Sequence, residues 1–362
     1  MGIEKIDKNF ATKRVKIEDY DWFDYTHPNV SLHGVFYDQT EKEFKRLPTE
    51  VAKATSEGVL WLHNNTAGGR LRFKVNSNVF AIKAEQKFVG VMPHMPFFGQ
   101  AGFSVYVDGL YAGTIAPIFT DFVEGNNAIV RFDGMMEISK KAFKNGVVHD
   151  VEIYFPLYYN VQKMSVGVKK SSEISKPNPY KHALPILYYG SSITQGGCAS
   201  HPGNDYPSIL SRKLDCDFIN LGFSGSGKAE PAVVDYVASQ NCSIFVMDYD
   251  HNAPTPEYLE QTHFPMYEKI RALHPNAPII FTSKPDCDYR FECELFREVI
   301  KKSYKKAKSN GDKNVYFING SKHFGKDCRD ACTVDGCHPN DLGFYRMAKT
   351  FEPLLKKLLK EN

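Results

Sequence analysis

At 362 residues the chain is longer than one hydrophobic core usually organises, because cores stop growing near ~250–300 residues, and two domains are expected. Hydrophobic residues at 42% and charged residues at 24% describe an ordinary globular protein, and 26 glycines with 20 prolines are too few for a collagenous or low-complexity chain. The 45 basic and 42 acidic residues nearly cancel, so no nucleic-acid partner is implied, and no apolar run of about 18 residues offers a membrane span.

The stretch from Met1 to Arg14 is charged, not basic and then apolar, so the sequence as written reads as cytoplasmic; a removed leader would make it secreted or periplasmic. From Trp61 to Ala84 the chain alternates, with Leu71, Phe73 and Val75 set between Arg70, Arg72 and Lys74, and Phe80, Ile82 and Ala84 at every second position. Period two predicts half-buried strands. Asn76 to Asn78 and Asp108-Gly109 supply turn chemistry and read as two hairpins. Pro93 to Phe103 reads as a long exposed loop. Val151, Ile153 and Phe155 form another alternating run, and Val166 to Val168 a last strand. Helical periodicity is weak here, and an antiparallel, jelly-roll-like β-sandwich is expected over residues 1–175. The polar segment Ser171 to Pro185, with Pro177, Pro179 and Pro185, is the candidate linker.

Residues 176–362 alternate strand and helix. Strands are expected at Pro185–Tyr189, Phe218–Leu221, Ser243–Asp248, Ala277–Thr282 and Val315–Ile318. The helices between and after them fall near Tyr206–Leu214, Ala229–Ser239, Pro256–Leu273, Phe291–Lys308 and Asp341–Leu359. Five such units predict a three-layer α/β/α fold around a parallel five-stranded, flavodoxin-like sheet. All eight cysteines lie in this half. A chain of this length needs no disulfide staples, so reduced thiols are expected. Cys328 with Cys332, and Cys287 with Cys293, lack the two-residue spacing of zinc knuckles. No metal or organic cofactor is implied.

In such a sheet the ligand crevice lies beyond the carboxyl ends of the strands. There the sequence places Gly190-Ser191-Ser192, then Gly222 in a glycine-rich turn running to Gly227, then Asp250-His251-Asn252, and Asp335 to Pro339 before the last helix. A serine hydroxyl becomes a nucleophile when an imidazole takes its proton, and the imidazole needs a carboxylate to fix its tautomer. Asp335 and His338, three residues apart, can face the same way on one turn of chain. Backbone N–H groups at the start of the helix after Ser192 can hold an oxyanion. Competing readings are blander: adjacent serines often cap a helix, His338 before Pro339 can do the same, and Cys337 reads as a packing residue. Asp248, Asp250 and His251 could bind a metal, but a solvated loop, or a role supporting the residues that do the chemistry, fits them better. The Gly222–Gly227 turn with Lys228 lacks the spacing of a phosphate loop.

On these four blocks, residues from Leu184 to Leu359 resemble the SGNH, or GDSL-type, hydrolase superfamily, and DGCHPN from Asp335 to Asn340 is the most specific piece. The resemblance implies Ser192 as nucleophile, His338 as base and Asp335 as its partner, with Ser192 N–H, Gly222 and Asn252 as the oxyanion hole. Two departures stand out: Ser191 replaces the usual Asp before the nucleophile, and the third block reads Asp248-Tyr249-Asp250-His251-Asn252 where GxND is usual. The first half resembles the β-sandwich module that precedes such hydrolases in bacterial carbohydrate acetylesterases, through Ala67–Ser77 (AGGRLRFKVNS) and through Gly102–Tyr106 (GFSVY), a GxDLY-like stretch with Ser104 and Val105 substituted.

The resemblance implies a serine esterase acting on short-chain carboxylic esters, with O-acetyl groups on carbohydrates first among them. Its partner is then a small-molecule or oligosaccharide ester, and its oligomeric state stays open. Two alternatives remain: a lysophospholipase or thioesterase acting on longer acyl chains, and a carbohydrate-binding protein without catalysis. Trp61, Tyr106 and Tyr111 are candidate sugar platforms, although core packing is the commoner fate of such aromatics. The Pro93–Phe103 segment, with His94, is expected to reach over the crevice.

Overall fold

The computed structural model describes residues 6–7, 15–87, 90–118, 129–139, 143, 146–286 and 292–361. In chain order the first part holds β1 (Tyr20–Phe23), β2 (Ser31–His33), β3 (Phe36–Asp38), β4 (Glu43–Lys45), helices α1 (Thr49–Thr55) and α2 (Glu57–Leu62), and the long strands β5 (Arg70–Val75) and β6 (Val79–Lys87). Then come α3 (Phe97–Ala101), β7 (Phe103–Val107), β8 (Leu110–Ile115), β9 (Ile129–Glu137), β10 (His149–Tyr154), β11 (Asn160–Lys169) and β12 (Ile174–Ser175). Two antiparallel sheets, β1-β11-β6-β9 and β12-β5-β10-β7-β8 with β2 added on β5, face each other as a sandwich. The alternating apolar residues fill the space between: Leu71, Phe73 and Val75 from one sheet meet Phe80, Ile82, Val166 and Val168 from the other.

Three local expectations are corrected. Asp108-Gly109 does close a hairpin between β7 and β8, but Asn76 to Asn78 does not, because β5 and β6 belong to different sheets. That turn is a corner between the sheets, held by Ser77 Oγ, which accepts the N–H groups of Val79 and Lys169, and by Asn78 Nδ2, which donates to Ile138 O. Trp61 lies on a helix, not at the start of a strand. Helices α1 and α2 were hidden because each spans only two turns, too short for periodicity to register; Ser56 caps the second by accepting the Val59 N–H. Finally, residues 97–101 of the expected loop form α3, whose Gly99 and Gln100 carbonyls accept the N–H groups of Leu157 and Tyr158.

The second part runs β13 (His182–Gly190), α4 (Ser192–Gln195), α5 (Tyr206–Leu214), β14 (Cys216–Gly222), α6 (Pro231–Ser239), β15 (Ile244–Asp248), α7 (Pro256–Leu273), β16 (Ile279–Thr282), α8 (Cys293–Ser309), β17 (Val315–Ile318) and α9 (Asp341–Glu361). The sheet is parallel, in the order β14-β13-β15-β16-β17. One face is covered by α6, α7 and α8 and the other by α5 and α9. Strand order reverses at β13, which puts the crevice at the ends of β14, β13 and β15. The expected start of α6 at Ala229 moves to Pro231, because proline is preorganised for the first helical turn. Cys287 and Phe291 lie outside the described residues.

The two parts share their cores. Leu47, Ala52, Val59 and Leu62 pack with Leu187, Leu221, Phe223 and Val233. The polar face of β5, expected in water, meets β14 at Arg70, which is fully buried, pairs with Asp217, donates from Nε to Tyr180 OH at 2.8 Å and lies over the Phe218 ring at 4.2 Å. We propose the division near residue 175 as one of architecture, with both parts folding as a unit. No helix among the described residues is long and apolar enough to cross a membrane.

Candidate active site

Strand β13 delivers its last residues to the crevice, and the chain turns at once into α4. Only glycine fits at 190: a Cβ there would lie 2.0 Å from Thr194 Oγ1 and 2.4 Å from Asp248 O. Ser191 is the N-cap, its Oγ accepting the Ile193 N–H at 3.2 Å, which is how this chain stabilises the turn without the usual Asp. Ser192 is therefore the first residue of α4, and its own N–H has no acceptor among the described residues.

From the other end of the sequence, the loop before α9 carries Asp335 and His338 to the same place. The Asp335 carboxylate accepts the backbone N–H groups of Cys337 (2.9 Å) and His338 (2.7 Å) on Oδ1, and His338 Nδ1–H on Oδ2 at 2.7 Å. The loop is fastened by Cys198 N–H to Pro339 O at 2.8 Å and by Asn340 Nδ2 to Ala331 O at 2.8 Å. Ser192 Oγ then lies 3.0 Å from His338 Nε2. Burial pushes the Asp335 carboxyl up, but its bonds from the His338 side chain and backbone outweigh this and hold it below the ordinary carboxylate value. A hydroxyl, an imidazole and an ionised carboxylate in this line can pass one proton from oxygen to nitrogen while the positive ring is stabilised.

The expected oxyanion donors divide. Asn252 is buried and donates from Nδ2 to Phe223 O at 2.8 Å, leaving its second amide hydrogen uncommitted. Gly222 does not come into the role, because its N–H is donated to Asn220 Oδ1 at 3.0 Å. Further along the same turn the Gly225 N–H has no acceptor among the described residues. Its neighbour Ser224 is held by Gln195 Oε1, which accepts the Ser224 N–H at 3.0 Å, so α4 and the turn are tied together.

Several residues around the site carried no sequence signal. Tyr158 O–H reaches Ser192 O at 3.4 Å, and Asn65 Oδ1 accepts from Gln195 Nε2 at 3.1 Å across 130 positions. His94 lies in the segment expected to reach the crevice, and its ring centroid is 5.6 Å from that of His338. Cys337 does more than pack: its Sγ lies 3.0 Å from His251 Nε2, and the His251 ring stands edge-on to His338 at 6.2 Å. Tyr106 is buried and Tyr111 stacks on His201 at 4.0 Å, whereas Trp61 is 64% exposed.

Several potential metal ligands are already engaged. Asp250 accepts the Lys284 N–H on both oxygens at 3.0 Å, and Asp248 accepts from Thr194 Oγ1 (2.9 Å) and Tyr206 OH (2.8 Å). Among the described residues His94, Asp335 and His338 converge, as do Glu41, Glu43 and His63. In the second set Glu41 pairs with Lys45, and both His63 ring nitrogens have partners.

Burial, and then the neighbouring Asp250, push the Asp248 carboxyl up to about 8 from its ordinary 3.8. A carboxyl raised on folding binds its proton more tightly in the native state, so its contribution to stability is complete below pH 3.8 and is lost as pH rises through about 8. Asp248→Asn should therefore gain stability relative to wild type between about pH 4 and pH 8 and hold that gain above it. Urea unfolding of both proteins at pH 5 and pH 9 measures this; an unchanging difference would mean that the native carboxyl is ionised throughout.

A model of the GDSL-like lipase/acylhydrolase family matches residues 183–356, and a model of the N-terminus of SGNH-hydrolase-type esterases matches residues 20–174. Among solved structures, a putative GDSL-like lipase from Bacteroides ovatus is 30% identical with a TM-score of 0.80, covering 94% of this chain and 98% of that one. A salicylyl-acyltransferase from a tetracycline biosynthetic pathway is 18% identical (TM-score 0.71, 95% and 98% covered). A family two carbohydrate esterase from Clostridium thermocellum, in complex with cellohexaose, is 13% identical (TM-score 0.60, 91% and 99% covered). No curated protein matches the chain. The chain belongs to the GDSL-like lipase/acylhydrolase family, which places it among the carboxylic ester hydrolases.

Proposed function

We propose that the protein is a serine esterase that removes acyl groups, acetyl among them, from carbohydrate hydroxyls through an acyl-enzyme on Ser192. The observation that carries this reading is the unbroken line from Ser192 Oγ to His338 Nε2 (3.0 Å) and from His338 Nδ1 to Asp335 (2.7 Å). Ser192 Oγ bonds to the ester carbon as its proton passes to His338 Nε2, and Asp335 stabilises the imidazolium. The N–H groups of Ser192 and Gly225 and the second amide hydrogen of Asn252 hold the oxyanion. Collapse breaks the bond to the alcohol oxygen, which leaves with the proton from His338. Water then repeats the sequence and frees the carboxylate.

The carbohydrate preference is supported by the fold shared with the esterase complexed with cellohexaose, and by analogy alone. A fluorophosphonate should label wild-type protein stoichiometrically and leave Ser192→Ala unlabelled. Acetate release from acetylated oligosaccharides tests the alcohol. Labelling without release from any acetylated sugar would keep the serine esterase and remove the sugar.

A further inference from the structure

The turn that carries His94 is fixed at both ends. The buried Gln100 amide accepts the Met92 N–H at 2.9 Å and donates to Met92 O (2.9 Å) and Met95 O (2.7 Å), while the Met95 N–H returns to Met92 O at 3.3 Å. Helix α3, which follows, lies on the loop after α4, where a Cβ on Gly99 would fall 2.2 Å from Ala199 O. Cys198 of that loop donates in turn to Pro339 O, next to His338. Contacts running through both halves of the chain therefore hold His94 beside the base, its ring exposed and its centroid 5.6 Å from that of His338.

One ring nitrogen each from His94 and His338 and one oxygen of Asp335 all lie within 4.8 Å of one another. Two imidazoles and a carboxylate are the donors that zinc and its neighbours among the late divalent transition metals take, whereas magnesium and calcium favour sites built of oxygen. Bonds of about 2.0–2.2 Å to such an ion set tetrahedral donors roughly 3.3 Å apart, so the His94 ring has at most about 1.5 Å to travel. An exposed ring covers that distance by side-chain rotation. Asp335 and His338 keep 34% and 24% of their side-chain surface in solvent, which leaves the ion a path in.

A bound ion and the serine proton compete for one lone pair. A neutral imidazole offers a lone pair on one ring nitrogen, and the other nitrogen carries hydrogen. In the mechanism above that lone pair sits on Nε2 and takes the Ser192 proton. A metal on Nε2 occupies it directly; a metal on Nδ1 leaves the hydrogen on Nε2, with the same result. We infer that His94, Asp335 and His338 form a binding site for a zinc-type divalent cation, and that the bound ion silences Ser192 by holding the lone pair of its base. Binding stands apart from the esterase reading, and only its inhibitory effect rests on that reading.

Zinc binding is measured by isothermal titration calorimetry on Ser192→Ala, which keeps all three ligands, and on Ser192→Ala combined with His94→Phe, which keeps a ring at 94 and loses its nitrogens. The second protein should bind zinc about 10- to 100-fold more weakly, and magnesium should not bind at this site in either. In parallel, the rate of wild type on p-nitrophenyl acetate should fall as zinc is added, recover with EDTA and ignore magnesium. In His94→Phe and His94→Ala, each compared with its own metal-free rate, the half-inhibiting zinc concentration should rise by the same factor. Equal zinc affinity with and without the His94 nitrogens, or no binding at all, would overturn the site and leave the esterase standing. Binding that leaves the rate on the ester untouched would overturn the claim on the lone pair. Zinc binding that depends on His94, in a protein that cleaves no ester, would sustain the site and remove the esterase reading.

Discussion

Replacing Ser192 by Ala is expected to lower kcat on an activated ester by on the order of 10³ or more while the protein stays folded. The hydroxyl makes its bond to His338, not to the scaffold, and the backbone carbonyl of Ser192 keeps its bonds from the Gly196 and Gly197 N–H groups and from Tyr158. His338→Ala should cost a similar factor, and the double variant little more, because nucleophile and base act as one unit. Asp335→Asn should also be severely impaired, since an amide facing Nδ1 favours the ring tautomer that cannot accept the serine proton. Residual turnover in all of these should persist above the background reaction, carried by the oxyanion donors. Steady-state kinetics with circular dichroism as the folding control measures each effect. A well-folded Ser192→Ala retaining most of its turnover would remove the acyl-enzyme mechanism altogether.

That prediction rests on residues legible in the sequence, and the reason is local. Each strand of the parallel sheet is followed by its own helix, so Ser192, Asn252 and His338 stand at strand–helix junctions marked by their neighbours in the chain; α5 and α7 fall on their expected bounds. The sandwich was readable as period-two strands but not as pairings, because two strands joined by a tight turn look alike whether they share a sheet or change sheets, as at Asn76–Asn78. The arginines of β5 look solvent-facing because nothing nearby in sequence says that β14 will cover Arg70 or that Tyr180 will cover Arg72. Sequence alone does not separate Gly222 from Gly225, because both sit in one glycine-rich turn, and only the side chain of Asn220, folding back onto the Gly222 N–H, distinguishes them. His94 reaches the site from the sandwich half, where no motif marks it.

The largest effect on stability is expected at a residue that no motif marks, Arg46. Its guanidinium is buried beneath the Gly222–Gly227 turn, over the Phe223 ring at 4.9 Å, and no carboxylate among the described residues pairs with it. Burial lowers its pKa to about 9, so at neutral pH it remains a cation neutralised by carbonyl dipoles alone. Nε donates to Asn65 O (2.6 Å), Nη1 to Asn220 O (3.1 Å) and Gly222 O (2.7 Å), and Nη2 to Leu62 O (2.9 Å). Two of these acceptors belong to the sandwich half and two to β14, so one side chain fastens the halves at the turn that carries Gly225. Arg46→Met keeps much of the apolar volume but strands four carbonyls, and should cost roughly 3–5 kcal/mol in urea unfolding. Lys53→Ala, which removes an exposed pair with Glu50, should stay within about 0.5 kcal/mol. Under conditions where Arg46→Met is folded, kcat should fall more than KM rises, because a loosened turn weakens transition-state binding before substrate binding. A loss below about 1 kcal/mol would mean that water reaches those carbonyls once the side chain is gone, and that the halves are held together by apolar packing alone.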